Sequence, residues 1–186
     1  MPTLDDQRME FARRRFLAMP LAGAVVWTVI GIAGALLPPL LAAWALFIGT
    51  GSIVFLGMLF SRFTGEDMLS KKPTNAFDTL FFQTIAMALL VYAIAIPFFE
   101  IDYTSLPLTV GILSGLMWLP LSWMIGHWIG IFHSIARTVL VVAAWYVFTH
   151  ERFVAIPAVI VALYLFTIYV LERRWRSLTL AQPDSG

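Results

Sequence analysis

The sequence predicts an all-α polytopic membrane protein, a six-transmembrane-helix bundle with both termini in the cytoplasm. Three observations predict it. Of the 186 residues, 60% are hydrophobic and 12% charged, whereas an ordinary soluble domain carries roughly 25% charged residues. A soluble chain of this length must wet more surface than such a composition can cover. The apolar residues fall into six runs, each near the roughly 20 residues a helix needs to cross the hydrocarbon of a bilayer. Finally, the basic residues crowd into alternate loops.

Residues 1–16 form a charged approach with Arg8, Arg13, Arg14 and Arg15. It is expected to stay attached, because the apolar run behind it is too long for a signal core and no small-x-small cleavage site follows. The first span covers residues 17–37 and ends at Pro38-Pro39. The second covers 40–60, followed by the polar segment 61–74. Asn75 and Asp78 then supply an N-cap and an acidic first turn for the third span, 75–99. Ser105 precedes Leu106-Pro107 at the head of the fourth, 106–125, where a proline removes no needed N–H. The fifth covers 131–148 and the sixth 153–171, with Pro157 near its start. The boundary between the fourth and fifth rests on Gly126–Gly130 with His127. From Glu172 onward the tail is polar and expected to fray. The spans form one domain, 17–172, with no second domain, no low-complexity segment and no match between the two halves.

Loop charge sets the orientation. The approach, the second loop (Arg62, Lys71, Lys72) and the tail (Arg173, Arg174, Arg176) hold ten basic residues. The opposite side holds one, Arg152. That asymmetry puts both ends in the cytoplasm and requires an even number of spans.

The remaining basic residue, Arg137, lies inside the fifth span. A charge in hydrocarbon is costly and tends to be paired or functional. His133, four residues earlier, shares its helix face. The third span enters from the same side with Asp78 and Gln83. The sharpest expectation is therefore an Asp78–Arg137 pair with Gln83 and His133 nearby; snorkelling of Arg137 to the headgroups is the plainer one. Pro120 should kink the fourth span by removing the bond to the Leu116 carbonyl. Trp118, Ser122 and Trp123 flank that kink as candidate walls of a polar cavity. Gly126, Gly130 and Ser134 recur along one edge of the fifth helix, and Gly111 and Gly115 form a GxxxG in the fourth. Such stripes admit close backbone approach within a chain or across a homodimer.

Several classes are excluded. Cysteine is absent, so disulfides and thiolate chemistry are out. His127 and His133, six residues apart, fall on different faces and have no third ligand nearby, so no metal site is expected. No HExxH, Walker loop or GxSxG occurs, so no enzyme and no cofactor are expected. A net charge of +1 without a basic stripe argues against nucleic acid. The expected partner is the lipid bilayer.

The arginine-rich entry with Trp27, the segment NAFDTLFFQ (75–83) and the run GILSGLMWLPLSW (111–123) resemble a family of short bacterial multi-pass membrane proteins labelled as a domain of unknown function. The resemblance covers about residues 8–172. Its best element is Leu119-Pro120…Trp123, although Met117-Trp118 stands where a polar residue, often histidine, is expected. The family implies a bacterial cytoplasmic membrane and brings no activity. The residues themselves favour translocation of a small solute or ion through a cavity between the third, fourth and fifth helices. The alternative is a non-catalytic protein that assembles with or regulates others through its small-residue faces.

Overall fold

The computed structural model describes residues 3–66 and 75–180. Lys71, Lys72 and the end of the tail lie outside the described residues. Thr3 opens a first helix, α1 (Leu4–Ala12), with a capping box: the Asp6 N–H donates to the Thr3 hydroxyl at 3.2 Å, and the Thr3 N–H to the Asp6 carboxylate at 3.0 Å. Two donors without helical partners are satisfied at once. Phe11 anchors α1, its ring within 4.9 Å of Phe16 and 6.1 Å of Phe77 and Phe81. The charged approach is thus a helix folded back onto the bundle. The sequence signal for it is Thr3-x-x-Asp6.

The first span, α2 (Ala18–Leu36), has no capping side chain of its own. Glu66 supplies one from beyond the second span, accepting from the N–H groups of Leu17 at 2.6 Å and Ala18 at 3.0 Å. Leu37 is extended, as a residue before proline prefers, and Pro39 starts α3 (Pro39–Thr64). Gly65 ends α3 in the left-handed conformation, φ +74°. The third span is two helices, α4 (Ala76–Leu90) and α5 (Tyr92–Ile101), broken at Val91. Asn75 caps α4, accepting from the Phe77 N–H, and its amide donates to the Gln7 carbonyl of α1.

The fourth span is interrupted too: α6 (Ser105–Leu113), a 3-10 turn (Ser114–Met117) and α7 (Trp118–Ile125). Gly126, at φ +61°, stops α7, and α8 (Ile129–Val147) begins three residues later. The turn is therefore shorter than Gly126–Gly130. The last helix, α9 (Arg152–Leu180), runs past residue 171. The tail does not fray at Glu172, because Glu172 accepts from Arg15 at 2.9 Å and Arg174 donates to the Ala12 carbonyl.

Six of these segments are long and apolar enough to cross a membrane. No strand occurs among the described residues. α2 packs between α3 and α9, α8 between α9 and the fourth span, and the third span against the fourth. Gly34 lies so close to Phe153 that a Cβ would sit 2.3 Å from its carbonyl oxygen, and one on Gly23 would sit 2.5 Å from the Tyr164 ring. These glycines let α2 and α9 approach, a small-residue edge that the sequence reading passes over. Leu36, Ile48, Phe55, Leu90, Val139 and Leu165 face outward, while His133, Ser134, Arg137 and Thr167 are buried. Polar inside and apolar outside is the distribution a hydrocarbon solvent selects.

Burial holds the Glu66 carboxyl above the usual glutamate range, against the lowering effect of the Leu17 and Ala18 N–H groups and of Arg15. A raised folded-state value means that the folded protein binds more protons. The associated stability is complete below the unfolded value and is lost as pH rises through the folded one. Glu66→Gln keeps a carbonyl acceptor without a buried charge. Its melting temperature should exceed wild type at neutral pH, and the gap should close as the pH falls toward the ordinary glutamate value.

Candidate functional site

The candidate site grows out of the break in the fourth span. Pro120 has no N–H to offer the Leu116 carbonyl, and the turn ahead of it tightens to 3-10 geometry over Ser114–Met117. Irregular backbone within a membrane needs partners from elsewhere in the protein. They come from α8. The Ser134 hydroxyl donates to the Gly115 carbonyl at 2.9 Å, and Arg137 Nε donates to the Gly111 carbonyl at 2.6 Å. Gly130, Ser134 and Arg137 follow one another at helical spacing on the face of α8 that meets the break.

The glycines permit this approach. A Cβ on Gly130 would lie 2.3 Å from the Trp118 carbonyl oxygen, and one on Gly115 would lie 2.7 Å from Arg137 Cδ. Gly111 is less crowded, its nearest neighbour being 3.4 Å away. Gly126 serves as a helix stop rather than a packing position.

Arg137 is 1% exposed. It lies eight residues inside α8, about 12 Å from the helix start at 1.5 Å per residue. Nη1 donates to the Tyr164 hydroxyl at 3.2 Å and Nη2 to the Ser114 hydroxyl at 3.0 Å. The guanidinium carbon sits 5.4 Å from the Trp27 ring centre and 5.5 Å from that of Tyr164. Among the described residues no carboxylate pairs with it. The charge is held by one carbonyl, two hydroxyls and two aromatic faces.

His133 completes the cluster. Its ring stacks on Trp118 at 4.4 Å and lies 5.0 Å from Tyr164. Nδ1 is 2.8 Å from the Thr167 hydroxyl, which spends its single hydrogen on the Leu163 carbonyl at 2.7 Å. The hydroxyl must therefore accept, so Nδ1 carries the proton and the neutral ring presents a bare Nε2. That Nε2 is buried without a partner, as is the Trp27 indole N–H. One cluster thus holds a cation, an unused donor and an unused acceptor.

Of the six candidate cavity residues, Trp118, His133 and Arg137 meet. Asp78 does not join them. It forms a two-pronged ion pair with Arg14, the second prong at 3.0 Å. The expected Asp78–Arg137 pair fails on depth: Asp78 is in the first turn of α4, and Arg137 lies about 9 Å further from the shared end of the bundle. Snorkelling fails as well, since Arg137 is buried. Gln83 is exposed on the outer face of α4. Ser122 donates to the His127 carbonyl at the end of α7. Trp27, Ser114, Tyr164 and Thr167 complete the site unforeseen. The available signal for Trp27 and Tyr164 was the Gly23-x-x-x-Trp27 edge of α2.

Fold and site define a multi-pass α-helical membrane protein with a buried arginine cluster at its centre that holds no carboxylate among the described residues. A family model described as a family of unknown function (DUF7010) matches residues 5–174, and the chain belongs to that family. Neither the curated proteins nor the solved structures give a match.

Close approach at Gly130 is against backbone, which cannot swing aside. Gly130→Ala should cost about 2–3 kcal/mol through overpacking. Gly111→Ala should be neutral or gain up to about 1 kcal/mol, the helical preference for alanine. Thermal unfolding in detergent checks both. Equal losses at the two positions would contradict the packing described.

Proposed function

We propose that this protein moves a small anionic solute across a bacterial cytoplasmic membrane, without catalysis, and that Arg137 recognises the solute. The observation that carries this is a mid-bundle guanidinium with no carboxylate partner among the described residues, beside the unpartnered Trp27 N–H donor. An uncompensated charge deep in hydrocarbon is expensive and marks ion or substrate paths in membrane proteins. An anion would offset the charge and accept the indole hydrogen. Both termini face the cytoplasm in this proposal, following the loop-charge bias.

One observation favours a second reading. Arg137 and Ser134 bond the carbonyls of the broken fourth span. On that basis Arg137 is a structural brace, in a protein that acts by associating with others.

Proteoliposomes loaded with chloride, nitrate, formate or bicarbonate separate the two. Translocation predicts a flux of at least one anion that Arg137→Gln abolishes. It also predicts that the same anion raises the melting temperature of wild type but not of the variant. Arg137→Lys should retain part of the flux, because it keeps the charge. If no anion moves or stabilises wild type, and Arg137→Gln only loses about 2 kcal/mol of stability, the brace alone remains.

A further inference from the structure

A second feature lies at the end of the bundle where α1 packs and α9 ends. A cavity of about 450 Å³ opens there between the end of α1, the turn after α7 and the end of α9. Its walls include Met9, Ile125 and Leu178 as apolar surface and Arg13, His127 and Arg174 as polar surface. Among the described residues no carboxylate lines it.

The three nitrogen-bearing side chains are differently engaged. Arg174 is fixed: it donates to the Ala12 carbonyl at the end of α1 and, at 3.5 Å, to the Ile125 carbonyl at the end of α7. Cations suit helix C-termini, so its position is set by the fold. His127 Nδ1 accepts from the Ile129 N–H at 3.3 Å, which leaves Nε2 as the N–H of the neutral ring. The Arg13 side chain is exposed and makes no hydrogen bond or ion pair among the described residues. Its neighbours Arg14 and Arg15 are both engaged with carboxylates. The pocket therefore combines one fixed cation, one free cation and one neutral N–H donor over an apolar floor.

We infer that this pocket binds a phosphate group, as the headgroup phosphate of an anionic lipid or as free phosphate. Guanidinium forks match phosphate oxygens in geometry and charge. The apolar floor, level with the ends of two spans, suits the glycerol and first methylenes of a lipid. Burial and the Arg174 charge hold the His127 imidazole below its usual pKa; a bound anion opposes the second effect.

The test uses the full-length protein in an uncharged detergent, titrated with dihexanoyl phosphatidylglycerol, dihexanoyl phosphatidylcholine or sodium phosphate, and followed by melting temperature and native mass spectrometry. Saturable binding of phosphatidylglycerol is expected, with weaker binding of phosphatidylcholine. Arg13→Gln should weaken it about fivefold, the worth of one basic residue near an anionic surface. His127→Gln serves as a second probe, and Arg173→Gln, outside the pocket, should leave affinity unchanged. Competition by sodium phosphate assigns the site to phosphate itself; binding of lipid without competition assigns it to the headgroup in its membrane setting. No saturable binding of either, or equal losses in Arg13→Gln and Arg173→Gln, would overturn the assignment. Neither outcome bears on Arg137, which lies elsewhere in the bundle.

Discussion

The structure depends on how the gap in the fourth span is closed. A helix interrupted by a 3-10 turn and a proline has an irregular ladder that hydrocarbon cannot supplement, although the Gly115 carbonyl keeps a bond from the Trp118 N–H. Here Ser134 and Arg137 reach from α8 to the Gly115 and Gly111 carbonyls. Interhelical hydrogen bonds in membranes average only about 0.6 kcal/mol, because the unfolded chain also finds partners. The modest value understates what is tied together. The same guanidinium bonds Ser114 of the fourth span and Tyr164 of α9, and lies over Trp27 of α2. Four spans, counting its own, meet through one side chain.

That arrangement explains the glycines around it. Arg137 fits only because Gly115 has no side chain, and α8 reaches the break only because Gly130 has none. Gly23 then lets the Tyr164 ring lie against α2, where its hydroxyl can accept from Arg137. Small residues in membrane helices are usually discussed as sites of close packing. In this bundle their spacing also brings polar groups within hydrogen-bonding distance. The packing and the polar cluster are one constraint.

Much of the fold was legible in the sequence because hydropathy and loop charge are strong, local signals. The six spans, the proline break and the presence of an arginine inside the fifth helix follow directly. The partners of Arg137 did not. A helix face can be read from spacing, but which neighbour meets it depends on depth and packing order, and sequence separation carries neither. Asp78 shares an end with α8, yet it lies a helical turn or more too shallow and finds Arg14 instead. Trp27 and Tyr164 were hidden for the opposite reason: aromatic residues in apolar spans look like ordinary filling. α1 was hidden because charge dominates its composition, although Thr3-x-x-Asp6 and Phe11 were in view.

Bracing the fourth span and binding a solute are compatible demands on one arginine. A guanidinium carries five N–H donors in a fixed plane. Gly111, Ser114 and Tyr164 take one each. The two that remain are one hydrogen each on Nη1 and Nη2. A lysine in the same place would have three donors on one nitrogen, and the three existing bonds would exhaust them. Arginine is thus the residue that can hold the broken span together and still present donors and a full positive charge to something else. Hydroxyls and a carbonyl solvate that charge without neutralising it, so the bracing leaves intact the electrostatic asymmetry on which the proposed anion recognition would depend.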